Sequence, residues 1–209
     1  MKIGIHKEPA GKGIGGTEYC VVVLAEELSK THDVEIVHHQ DWLTKDHLTA
    51  LFDVNLERVE LRHIPFAPWK PSGARLPWRK LRHAQQHLAE VSKPYELFIS
   101  FTHGEEPPPF CHAGYGMMVV LFPIWDATKH ARIYDEPFAA GSWIRGRMRK
   151  VYNEWEWKQR LASYGFRTAI SYFSQQWTQR LWGVECAIFH PPVWCLCCNR
   201  PTANMPQAD

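Results

Sequence analysis

The 209-residue sequence has almost no excess of charge of either sign, with 24 basic against 22 acidic side chains and a formal net charge of +2. That excludes a chain-wide electrostatic attraction for nucleic acid or an acidic polymer, and any basic patch has to be local. Long apolar runs are also missing. A run such as Met117 to Phe122 falls far short of the roughly 20 residues a membrane-spanning helix needs. The opening MKIGIHKEPAGK lacks the apolar core of about 7 to 15 residues that marks a signal peptide, so a cytoplasmic location is expected. Cysteine is present but without a framework: Cys20, Cys111, Cys186, Cys195, Cys197 and Cys198 are irregularly spaced, unlike a small disulfide-stapled domain, and reduced thiols are expected. No internal repeat or low-complexity segment is evident.

What is there suits one substantial globular domain. Hydrophobic residues make up 45% of the chain and charged ones 22%, enough for a sizeable core. Tryptophan is abundant, and Trp143, Trp155, Trp157, Trp177 and Trp182 crowd one stretch, for which core packing is the favoured reading. Apolar runs of strand length recur at Ile3 to His6, Val34 to Val37, Val59 to Ile64, Leu97 to Phe101, Met117 to Phe122, Thr168 to Ser171 and Ala187 to Phe189. Helical patterns lie between many of them. Thr17 to Lys30 carries Val21, Leu24, Ala25 and Leu28 on one face, with Thr17 as N-cap and Glu18 in the first turn. Further helices are expected over Trp78 to Val91, over Ser142 to Leu161 with a stripe of Ile144, Met148, Val151 and Trp155, and over Ser174 to Trp182, stopped by Gly183. Strands alternating with helices imply βαβ units. The expected fold class is therefore α/β, a single Rossmann-like domain with a parallel sheet covered by helices on both faces. Ligands in such folds sit at the carboxyl ends of strands, where the loops 7 to 16, 102 to 115 and 123 to 140 are expected.

Gly11, Gly13 and Gly16 satisfy the dinucleotide fingerprint G-x-G-x-x-G by spacing. The context is wrong for it: Lys7 to Ala10 separate the strand from the first glycine, Glu35 lies inside a strand, and Asp41 comes too late to be the ribose acid. NAD binding is thus the weaker reading. A P-loop fails because Gly13, not Ser or Thr, follows Lys12. What survives is Gly15-Gly16-Thr17-Glu18, two residues without Cβ before a helix N-terminus, where free N–H groups suit a phosphate or a sugar.

GIGGTE followed by CVVVLAEELSKTHDVEIV resembles the opening of the family 4 glycosyltransferases of the GT-B fold. AISYFSQQWTQRLWGVECAIFHPPV is similar to that family's segment of strand, helix, Trp-Gly-Val and Pro-Pro-Val. The two stretches bracket Met1 to Val193. The resemblance implies an acceptor-side domain over residues 1–193 and a tail, expected to be disordered, over 194–209, with the donor-binding domain absent. It implies transfer from a nucleotide-sugar donor to a glycan, lipid-linked or small-molecule acceptor, with the donor held by a missing domain or a separate donor-domain chain. No cofactor, metal or nucleic acid is called for. By the same resemblance His103, in FISFTHGEE, faces the reaction centre as the catalytic candidate, while Gly15, Gly16, Thr17 and Asp126 bind substrate. A non-catalytic remnant, or a module that binds a glycan or partner, stays open as the alternative.

Other groups carry weaker chemistry. Glu105 and Glu106 are adjacent and rarely face one site. His83 and His87 share a helix face, but Ala84 stands where a zinc protease has Glu. Cys195 and Cys198 form C-x-x-C without the second pair a zinc site requires. Arg145, Arg147, Arg149 and Lys150 beside Trp143 suit peripheral contact with anionic lipid, or simply the solvated side of a helix.

Overall fold

The computed structural model describes residues 1–7, 15–64, 91–103, 108–123, 151 and 155–192. All seven expected runs are strands: β1 (Lys2–Lys7), β2 (Asp33–His38), β3 (Val59–His63), β4 (Leu97–Thr102), β5 (Tyr115–Val120), β6 (Phe166–Ala169) and β7 (Ala187–Ile188). They form one sheet in the order β3-β2-β1-β4-β5-β6-β7, and every neighbouring pair is parallel. The fold is α/β and Rossmann-like, with the chain order reversing between β1 and β4.

The strands alternate apolar residues between two cores, as the two-residue period requires when both faces are covered. Ile3, Ile5, Val34, Ile36, Ile99, Phe101, Val119 and Leu121 enter one core. Phe98, Met118, Val120 and Val37 enter the other. The first is closed by α1 (Gly16–Ser29) and α2 (Lys45–Phe52), through Val21, Val22, Ala25 and Leu48. The second is closed by Trp157 and Leu161 of α3 (155–162) and Trp182 of α4 (Tyr172–Trp182). Trp157 and Trp182 meet edge to face at 5.1 Å. Those two tryptophans, at least, serve the core.

Three details depart from the sequence reading. The N-cap of α1 is Gly15, in extended backbone, and Thr17 lies inside the first turn, where its hydroxyl is released for another partner. The short helix α2 went unread: it buries only Leu48, too little for an apolar period, and is defined by Thr44 accepting from His47 N at 3.2 Å and by Asp53 in the left-handed region. The stripe through Val151 and Trp155 does not face inward, since they are 62% and 55% exposed. Glu156, Trp157, Arg160 and Leu161 are buried instead, and a buried ion pair on the inner face disguises the pattern. The helix over 78–91 and the residues Ile144 and Met148 fall outside the described residues, apart from Val91. So do His83, His87, Glu105, Glu106, Arg145, Arg147, Arg149, Lys150, Cys195, Cys197 and Cys198. Cys20, Cys111 and Cys186 are free thiols.

Candidate functional site

The carboxyl ends of β1 and β4 lie side by side at the reversal of chain order, the place where an open parallel sheet leaves a crevice for a ligand. Two consequences follow from their register. His6 pairs with Ser100 and Lys7 with Phe101, so polar residues closing two apolar strands arrive at one rim. Gly15 and the first turn of α1 rise directly from that rim, because α1 is the connection that leaves β1.

Of the residues singled out in the sequence, four meet here. Thr17 Oγ1 lies 3.2 Å from Nε2 of His103, the residue that follows β4. Gly15 and Gly16 precede Thr17 and are exposed. A Cβ built on Gly16 would meet nothing within 4 Å, and one on Gly15 only Glu18 Oε2 at 3.9 Å. Neither glycine is therefore demanded by internal packing, and neither has positive φ. What their bareness provides is open backbone at a helix N-terminus, where N–H groups favour anions and sugar hydroxyls. Asp126 lies outside the described residues.

Of the polar residues beneath the turn, sequence reasoning named only Glu18, as a first-turn acid, and not its buried partners. Lys7 and Glu18 form an ion pair with each residue 5% exposed, and Glu18 Oε2 also accepts from Gly15 N at 2.8 Å. The N-cap amide is thus satisfied by the acid three residues on, half of a capping box. Deeper lies a histidine chain. His39 Nδ1 is 2.9 Å from the Ile64 carbonyl, His39 Nε2 is 3.0 Å from His6 Nε2, and His6 Nδ1 is 3.2 Å from Ser100 Oγ. A carbonyl only accepts, so His39 carries its proton on Nδ1. With both rings neutral, His6 then donates from Nε2 and accepts the Ser100 hydroxyl at Nδ1. Burial, and then the neighbouring His39, hold His6 well below the ordinary histidine pKa. His38, buried and close to His63 at 5.3 Å between rings, is pushed down to about 4. The signal for all of these was in the sequence: the apolar strands β1, β2 and β4 end on ionisable or hydroxyl residues, in IHK, IVHH and FTH.

Pro108 and Pro109 are held from the other side of the sheet's second core. Arg160, 2% exposed, donates to the Pro108 carbonyl at 2.7 Å and to Glu156 Oε1 at 2.6 and 3.0 Å. Tyr164 donates to the Pro109 carbonyl at 2.7 Å. A surface depression of about 430 Å³ opens elsewhere, lined by residues such as Glu26, Lys45, Asp53 and Asn55, and does not involve these groups. Among the described residues no cluster of His, Cys, Asp and Glu has the arrangement of a metal site, and no helix is long and apolar enough to cross a membrane.

The site therefore combines an exposed glycine turn, a histidine oriented by a threonine, and a buried polar foundation, and it is suited to holding and orienting a polar ligand at the switch point. Compared with known proteins, the chain matches no family model and shows no significant similarity to any curated protein.

Proposed function

We propose that this chain is the acceptor-side domain of a family 4-like GT-B glycosyltransferase. It would serve the transfer of a sugar from a nucleotide-sugar donor to a hydroxyl of a glycan, lipid-linked or small-molecule acceptor. The observation that carries the reading is the contact between Thr17 and His103. It joins the Gly15-Gly16-Thr17 turn to His103, the two features that the resemblance assigns to one wall of the cleft, next to the switch point of the sheet.

In this account Gly15 and Gly16 let a ligand approach the backbone at the start of α1, where the helix terminus stabilises negative charge on the leaving diphosphate. His103, oriented by Thr17, hydrogen bonds to the transferred sugar near its anomeric carbon. The reading requires a donor-binding domain, on the same or another polypeptide, to close the cleft.

The test is release of nucleoside diphosphate from a panel of sugar nucleotides, with and without a donor-domain partner. Turnover should need the partner and should fall by about a hundredfold in His103→Ala, the scale of losing one preorganised hydrogen-bonding group. Full turnover by the 209-residue chain alone would overturn the half-enzyme account, and turnover indifferent to His103→Ala would remove His103 from the site.

A further inference from the structure

The buried pair of Lys7 and Glu18 has no part in the reaction as proposed, yet its geometry connects three elements. Removing two charges from water is costly, and an ion pair recovers that cost only with good geometry and additional hydrogen bonds. Apolar replacements of similar volume often serve stability as well or better. A pair kept here at 5% exposure on both sides therefore has a use that apolar packing would not supply.

The contacts run in series. Lys7, the last residue of β1, binds Glu18 Oε1. The other oxygen, Oε2, accepts the Gly15 amide at 2.8 Å. Two residues along the same turn, Thr17 Oγ1 stands 3.2 Å from His103 Nε2 at the end of β4. The carboxylate thus fixes the first turn of α1 against β1, and that turn holds the histidine of the adjacent strand. Lys7 also cancels the charge of Glu18, leaving the helix terminus without a net negative group that would repel an anion.

We propose that Lys7 and Glu18 are positioning residues that set the first turn of α1 and, through Thr17, the orientation of His103. The proposal rests on the glycosyl-transfer reading only for the identity of the chemistry that His103 serves.

The test uses the full chain with ¹⁵N-labelled histidine and backbone, so that no donor or acceptor enters it and failure of the transfer assay leaves it intact. Lys7→Met should change the ring ¹⁵N signals of His103 and speed exchange of the Gly15 amide by on the order of tenfold or more, as a charge-assisted hydrogen bond loosens. Glu18→Gln, which keeps an oxygen for the Gly15 amide but drops the charge, should change the His103 signals with a smaller effect on exchange. Lys30→Met, which breaks the exposed pair of Lys30 with Glu27, should leave both unchanged. If Lys7→Met lowers the melting temperature but leaves the His103 signals and Gly15 exchange as in the parent, the pair is only structural and the proposal fails. Should Lys7→Met not fold, Glu18→Gln carries the same two outcomes.

Discussion

Thr17 and His103, 86 residues apart in the chain, stand 3.2 Å from Oγ1 to Nε2. The meeting is a product of sheet order: α1 follows β1, His103 follows β4, and β1 and β4 are parallel neighbours. Thr17→Val removes the hydroxyl at nearly constant shape. It should cost at most about 1.5 kcal/mol of stability, the net worth of a typical hydrogen bond, while slowing nucleoside diphosphate release in the partnered assay. Thr17→Ser should retain the rate, and equal rates in the valine and serine variants would contradict the orienting role.

The glycines divide into those the fold needs and those a ligand would need. A Cβ on Gly4 would lie 2.5 Å from Cδ2 and Cε2 of Tyr95, whose ring is held by its hydroxyl donating to Glu35 at 2.6 Å and accepting from Arg62 at 3.0 Å. Gly4→Ala should destabilise by about 1 to 3 kcal/mol through overpacking. Gly16→Ala meets open space and replaces a helical glycine, so it should leave stability unchanged or raise it by up to about 1 kcal/mol. The same change should impair transfer by crowding the ligand's approach. Melting curves and the transfer assay, measured on both variants, separate the two cases.

Acid should weaken the fold in a window set by the buried histidines. His6 lies well below 6.5 and His38 at about 4 in the folded state, so the unfolded chain binds protons first as pH falls. Their contribution is complete above about pH 6.5 and is lost as pH drops from there toward 4, by up to about 1.4 kcal/mol per pH unit for each histidine. Urea midpoints at pH 7, 6 and 5 should decline in that order, and His38→Gln should flatten the decline. A midpoint constant from pH 7 to 5 would contradict buried neutral histidines.

Arg160→Met should be severe. It strands the Glu156 carboxylate, which is 6% exposed, and frees the Pro108 carbonyl, at a cost of about 3 to 5 kcal/mol. Adding Glu156→Gln to it should recover part of that loss, because no buried charge then remains unpaired. Denaturant unfolding of the single and double variants decides the matter, and strictly additive losses would contradict the coupling.

The α/β class was legible because central strands such as β4 and β5 are short, nearly continuous apolar runs, and the remaining strands, the edge strand β3 among them, still carry apolar residues at strand length. The helices were harder. α1 was readable from its apolar face and the acid in its first turn, whereas α3 buries Glu156 and Arg160 together and so hides its inward side. Within the site, Gly15, Gly16, Thr17 and His103 drew attention through their motifs. Lys7 did not, and Glu18 was read only as a first-turn acid, since neither charge announces its burial or its partner until the strand and helix that carry them are joined.

The sequence by itself determined the local periods, the turn glycines and the polar residues that close β1, β2 and β4, because these depend on neighbours a few positions away. Only the tertiary structure decided the strand order, and with it that β1 and β4 are adjacent. That adjacency places Thr17 against His103 and His6 against Ser100, while the pairing of β1 with β2 brings His39 to His6 and the packing of α1 on β1 brings Glu18 to Lys7. Such contacts are set by which strands pair, a choice made by the whole sheet burying both faces at once.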